Sequence, residues 1–165
     1  MIPLISDVLR DALVEQISQE LYNSHFYLRL AVFLENKGMP NHGKLYRSAY
    51  QEERGHAIHI VNLLSDMNII FDFPYIDGCA HPFESFLDVA EAGYEREDET
   101  TKSLIAIKNL AIEEDNGIVE ESIRKLISDQ QKEMAEASEI LDKARVIGSD
   151  WKSAVLLDAS FEMED

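Results

Sequence analysis

The sequence is short of several things, and each shortage closes off a class of protein. Cys79 is its single cysteine, so no disulfide can form within the chain, and no cysteine-built zinc or iron–sulfur centre fits one chain. Only four prolines and seven glycines punctuate 165 residues, which leaves room for long uninterrupted helices. Basic residues are scarce: 15 Lys and Arg stand against 32 Asp and Glu, for a formal net charge of -17. Phosphate backbones and anionic membrane surfaces want Lys and Arg, so neither nucleic acid nor membrane is an expected partner, while cations are favoured. Apolar stretches such as Ile60–Leu64 are far too short to span a bilayer. Met1–Leu13 carries Asp7, Arg10 and Asp11, unlike a signal peptide, so the expected location is the cytoplasm.

What is present fits a soluble chain with one sizeable core: 45% of residues are hydrophobic and 28% charged. The chain also repeats itself in metal-ligand chemistry. Glu20 lies 33 residues before Glu53, and Glu97 lies 33 residues before Gln130; the second pair is the first shifted by 77 positions. The later member of each pair opens an i, i+3 couple, Glu53 with His56 and Gln130 with Glu133. A four-helix bundle that binds two metal ions needs this arrangement, one carboxylate from each of two helices and an i, i+3 pair from each of the others.

Four long helical patterns are legible, roughly 6–36, 40–67, 82–113 and 118–145, with a short fifth at 149–161 and Ser6 and Ser149 or Asp150 as candidate N-caps. Their seams alternate steps of three and four: Leu13, Ile17, Glu20, Ser24, Tyr27; then Tyr46, Ala49, Glu53, His56, Ile60; then Leu87, Ala90, Tyr94, Glu97, Thr101; then Leu126, Gln130, Glu133, Ala137, Ile140. The candidate ligands therefore fall where the core is expected, although Glu is rarely buried unless paired or bound to metal.

The short connections at 37–39 and 114–117 make antiparallel hairpins, each bringing its own ligand pair to one height. The connection at 68–81 is long. Extended, it reaches about 45 Å, and the second helix spans about 42 Å, so it can run the length of the bundle and set helix three parallel to helix two. The expected fold is all-α: an up-down-down-up four-helix bundle with one long crossover and a short C-terminal helix, in a single domain covering 1–165 with the bundle at about 6–145.

Two divalent irons in such a bundle need anionic oxygen for charge balance and imidazole for covalency. The expected division places one metal on Glu20, Glu53 and His56, and the second on Glu53 as a bridge with Glu97 and Glu133. Gln130, a neutral amide, is expected to hydrogen-bond bound oxygen or water.

Gln19-Glu20-Leu21-Tyr22, Gln51-Glu52-Glu53-Arg54-Gly55-His56, Tyr94-Glu95-Arg96-Glu97 and Asp129-Gln130-Gln131-Lys132-Glu133 together resemble the ferroxidase motifs of non-haem ferritins, over essentially the whole chain. The resemblance implies a hollow 24-subunit shell that oxidises Fe(II) with O2 or H2O2 and stores the ferric mineral. It also implies a catalytic set of Glu20, Tyr27, Glu53, His56, Glu97, Gln130 and Glu133, with Tyr27 beside the site as an electron or hydrogen-bond donor. Bacterioferritins fit less well, because this chain has Gln130 and Glu133 in place of a second Glu-x-x-His and Arg54 where they carry a haem-ligating Met; no haem is expected. Rubrerythrins need the second Glu-x-x-His and usually a cysteine-rich domain, both lacking here.

The resemblance would place a third iron site at Glu52, Asp129, residue 132 and Glu133; Lys132 puts a cation there, so that site is expected to be weak, absent, or dependent on Lys132 swinging away. Glu120 or Glu121, at the start of helix four, would line a three-fold channel. His25, His42, His59 and His81 read as surface or helix-flank residues, and Cys79 as a bystander. The alternatives are a storage shell with slow or no catalysis and a small di-iron peroxidase.

Overall fold

The computed structural model describes residues 4–80 and 82–161. Five helices follow in order: α1 (Asp7–Asn36), α2 (Pro40–Asp66), α3 (Phe86–Glu113), α4 (Gly117–Ile147) and α5 (Trp151–Ser160). Local chemistry sets their ends. Ser6 caps α1, its side chain accepting from the Leu9 N–H. Gly38, at φ 82°, makes the left-handed turn that sends the chain back into α2, and Pro40 pre-sets that helix's first turn. Asn116 caps α4, and Gly148, at φ 69°, ends it.

One boundary differs from the sequence reading. Helix three begins at Phe86, not near Pro82. Ser85 and Asp88 form a capping box: the Ser85 hydroxyl accepts from the Asp88 N–H, and the Asp88 carboxylate accepts from the N–H groups of Ser85 and Glu84. Two orphan donors are satisfied there, and the helix starts where they are.

Helix α1 packs along α2 and α3 along α4; α1 then meets α3, and α2 meets α4, closing an up-down-down-up bundle. Residues 67–85 link α2 to α3 with neither helix nor strand among those described. The Ser18 hydroxyl pins this strap to α1 by donating to the Tyr75 carbonyl. No described helix is long and apolar enough to cross a membrane.

The buried stripe of α3 runs Phe86, Ala90, Gly93, Glu97, Thr100, Leu104. Leu87, Tyr94 and Thr101, expected on that seam, lie on its flank and are only half-buried. The core is in two pieces. One cluster gathers Leu9, Leu13, Ile17, Ile60, Leu104 and Ile123; the other gathers Phe26, Tyr27, Leu30, Tyr46, Phe86 and Ile140. Between them lies a layer of buried polar side chains, Gln16, Glu20, Asn23, Glu53, His56, Glu97, Thr100 and Gln130.

Helix α5 sits against α2 and α4. Asp158 on α5 is 1% exposed and accepts from the backbone N–H groups of Asn41 (3.1 Å) and His42 (2.7 Å) and from His42 Nδ1 (2.6 Å). Because Met39 gives α2 no side-chain cap, Asp158 supplies it from 116 residues away. His42 is therefore buried, 1% exposed, and not a flank residue as the sequence suggested.

Candidate metal centre

Each helix of the bundle delivers its group to the polar layer: Glu20 from α1, Glu53 and His56 from α2, Glu97 from α3, Gln130 and Glu133 from α4. Glu20, Glu53 and His56 each offer one atom within 4.8 Å of the others, and so do Glu53, Glu97 and Glu133. Glu53 belongs to both groups. Glu20, Glu53 and Glu97 are 0%, 1% and 5% exposed, so these are carboxylates that water does not solvate.

The buried polar atoms test whether a cation fits. Glu20 Oε2, His56 Nδ1 and Glu133 Oε2 have no hydrogen-bond partner. Glu20 Oε2 and His56 Nδ1 face each other at 3.9 Å, a gap that a divalent ion bonded to both would close. The far side of the imidazole, Nε2, faces Glu133 at 3.5 Å and Asp129 at 3.8 Å. Metal-bound histidines commonly present their other nitrogen to a carboxylate in this way. Orphaned buried acceptors are rare and costly unless something unseen satisfies them.

Other carboxylate oxygens of the layer are held by side-chain donors. The Gln16 amide donates to Glu20 (2.8 Å), and the Ser103 hydroxyl donates to Gln16 (2.5 Å). Asn23 donates to Thr100 (2.8 Å) and reaches Glu53 (3.4 Å). Gln130 donates to both the Glu97 carboxylate and its backbone carbonyl, and the Tyr27 hydroxyl donates to the other Glu97 oxygen. Gln130 thus turns its N–H2 to Glu97 and leaves its own buried Oε1 without a hydrogen-bond partner in the protein.

The sequence reading missed Gln16, Asn23, Thr100 and Ser103. A signal was available: Asn23 and Thr100 stand 77 positions apart, so the repeat that finds the acidic residues also finds this bonded pair. Tyr46 was read as seam only, yet it stacks on Tyr27 with ring centroids 5.8 Å apart and planes 14° from parallel.

Burial dominates the acidity. It pushes the Glu133 carboxyl up to about 9, with the charges of Glu97 and Glu52 adding to the effect. Glu53 is raised well above the ordinary range by burial and by the neighbouring Glu20. Burial also raises Glu97, against the hydrogen bonds from Tyr27 and Gln130 that favour its charged form. Tyr27 is raised well above its usual value by burial and the Glu97 charge, so it stays a phenol.

The other singled-out residues scatter. Glu52, His56, Asp129, Lys132, Glu133 and Glu136 line an open cavity against the site, so Lys132 does share a space with the residues named for a third site. Glu120 is engaged by Arg124 at 2.6 Å, and Glu121 is exposed. His25 and Arg54 are exposed, Cys79 is half-buried, and His59 bonds the Ser122 hydroxyl on α4 at 2.7 Å. His81 lies outside the described residues.

Five helices in this order, with paired carboxylate groups in mid-bundle, define a class, and sequence comparison agrees. Residues 10–147 match the ferritin-like domain, and the chain belongs to that family. It is 28% identical over 145 residues to a bacterial non-heme ferritin of Bacteroides fragilis, covering 88% of this chain and 91% of that one. Ferritin BfrB of Mycolicibacterium smegmatis is 25% identical over 135 residues, 82% of this chain and 75% of that one. Among solved structures, an open pore ferritin from the archaeon Archaeoglobus fulgidus superposes with a TM-score of 0.90 at 25% identity, covering 99% of this chain and 100% of that one.

Proposed function

We propose that this chain is an iron-storage ferroxidase: it oxidises Fe(II) at the paired carboxylate groups and passes Fe(III) to a mineral held inside a shell of identical subunits, expected to number 24. The reading is carried by one observation: two ligand groups share Glu53, and three of their buried atoms lack any partner in the protein. Glu20, Glu53 and His56 would hold one Fe(II), and Glu53, Glu97 and Glu133 the second. Two Fe(II) together release two electrons, which dioxygen takes up with two protons as hydrogen peroxide; hydrogen peroxide can itself serve as oxidant.

The protein's part is to bind, orient and move protons. Gln130 fixes the Glu97 carboxylate by donating to it, and Tyr27 does the same from the other side. The carboxyl groups of Glu53, Glu97 and Glu133 would give up their protons as cations arrive, leaving carboxylates to hold the ions. The second group lacks imidazole, so it should hold iron less firmly than the first, as suits iron passing through to storage. Lys132 disfavours a third cation in the cavity it shares with Glu52 and Asp129. The charge of -17 and the ferritin relatives support a soluble, cytoplasmic, metal-collecting assembly.

The test is oxygen uptake after mixing metal-free protein with two Fe(II) per chain, alongside Glu53→Ala. Rapid uptake that the substitution reduces to the buffer rate is expected. Uptake no faster than buffer in the unaltered protein would leave the storage shell without its catalysis.

A further inference from the structure

Glu20, Glu53 and His56 come from α1 and α2 alone, yet α3 reaches this group through a chain of two side chains. Gln16 stands one helical turn before Glu20, so the two share a face of α1. Its Nε2 donates to Glu20 Oε1 at 2.8 Å, and its Oε1 accepts from the Ser103 hydroxyl of α3 at 2.5 Å. Gln16 and Glu20 are both 0% exposed, so water does not compete for the bond between them. Ser103 is half-buried, on a helix that α1 packs against.

An amide has a donor end and an acceptor end, whereas a carboxylate only accepts. Gln16 therefore turns its nitrogen to Glu20, and its buried carbonyl end then needs a donor, which Ser103 supplies. These bonds decide which oxygen of Glu20 is free. Oε1 is held, and Oε2 is left without a partner, 3.9 Å from the equally unpartnered His56 Nδ1. Two of the group's ligand atoms thus face each other before an ion arrives. The other group is less constrained at Glu133: no amide or hydroxyl among the described residues donates to it, and His56 Nε2 stands 3.5 Å away.

We propose that Gln16 and Ser103 are positioning residues that make the group of Glu20, Glu53 and His56 the tighter of the two and the first to fill. The inference rests on the reading of these groups as a two-ion centre. An ion that enters a group already set loses less affinity to the ordering of side chains. Helix α3 then serves both ions, the second through Glu97 and the first through a hydroxyl that never touches it.

Calorimetric titration of the metal-free protein with Co(II), with the visible absorption of the bound ion followed in parallel, is the test. Two steps are expected, and the tighter should carry the spectrum of nitrogen ligation. Ser103→Ala removes one hydroxyl from a half-buried position, and Gln16→Leu exchanges a buried amide for an apolar side chain of similar size, so both should fold. Each should weaken the tighter step by about ten- to a hundredfold and leave the weaker step unmoved. Ser103→Thr keeps the hydroxyl and should bind like the unaltered protein. A tighter step unmoved in either of the first two variants would overturn the proposal. So would equal weakening of both steps, the mark of a loosened bundle, an oxygen-only spectrum in the tighter step, or a loss in Ser103→Thr as large as in Ser103→Ala. A chain that binds Co(II) in two steps but takes up no oxygen with Fe(II) would lose the ferroxidase reading and keep this one; a chain that binds no Co(II) would lose both.

Discussion

Glu133 keeps its proton up to about pH 9 because burial, and then the charges of Glu97 and Glu52, oppose its ionisation. Glu53 and Glu97 are raised for the same leading reason. At pH 7 the metal-free site therefore holds protons that a divalent cation must displace. Adding Co(II), or Fe(II) without oxygen, in weak buffer should release protons on a pH-stat, and apparent affinity should fall as pH drops. Binding at pH 7 with no proton release would show that the carboxylates are already ionised. At this scale the acidic and histidine groups were legible from the 77-residue shift and the seams, because a buried Glu breaks an apolar pattern conspicuously. The amides and hydroxyls that hold them were not. Gln16, Asn23, Thr100 and Ser103 look like ordinary breaks in a seam, and what they bond to is decided across helices.

Among the elements, α5 is tied to the start of α2 by one buried carboxylate, that of Asp158, beside the Trp151 bond to the Glu84 carbonyl and the buried Ala154. Asp158→Asn removes the charge that two α2 N–H groups and His42 donate to, and should cost about 1–3 kcal/mol in urea unfolding, with faster amide exchange confined to α5 and the first turn of α2. Unchanged exchange there would mean that apolar packing alone holds α5. Burial lowers the pKa of His42 below 6.5, against the pull of Asp158. The sign follows: the unfolded chain takes up the proton first, so this contribution is complete above about pH 6.5 and is lost as pH falls through the lowered value. His42→Gln should flatten that part of the acid limb of Tm against pH. The sequence could not show this pairing, since the partners are 116 residues apart; it misplaced the start of α3 for a nearer reason, the overlooked capping box at Ser85 and Asp88.

For the whole molecule, the polar layer that parts the two core clusters opposes folding when it carries no metal. Carboxyls raised in the folded state give stability that is complete below about pH 4.5 and is lost as pH climbs through their folded values. The metal-free protein should therefore lose Tm from pH 6 to 9, the opposite direction to the His42 effect, and Glu133→Gln should soften the slope. Cobalt or zinc at a hundred times its dissociation constant should restore about 2.7 kcal/mol. A Tm indifferent to metal at pH 8 would mean that the layer binds no cation in the folded state. The bundle itself was legible in the sequence through hairpin lengths and the reach of the crossover, which depend on chain geometry more than on side-chain detail.

Among its described residues the strap at 67–85 adds no side chain to either ligand group, and Ile70, Phe73 and Tyr75 along it are 94%, 69% and 87% exposed. Chain continuity there is thus dispensable to the chemistry. A protease that nicks the strap would leave two helical hairpins, one bearing Glu20, Glu53 and His56, the other Glu97, Gln130 and Glu133. Neither alone completes the group that Glu53 forms with Glu97 and Glu133, and the Asn23–Thr100 bond crosses the same divide. The halves should co-elute after nicking and separate only in denaturant, so that the molecule behaves as a heterodimer of two unlike fragments whose mating surface is its metal-binding layer.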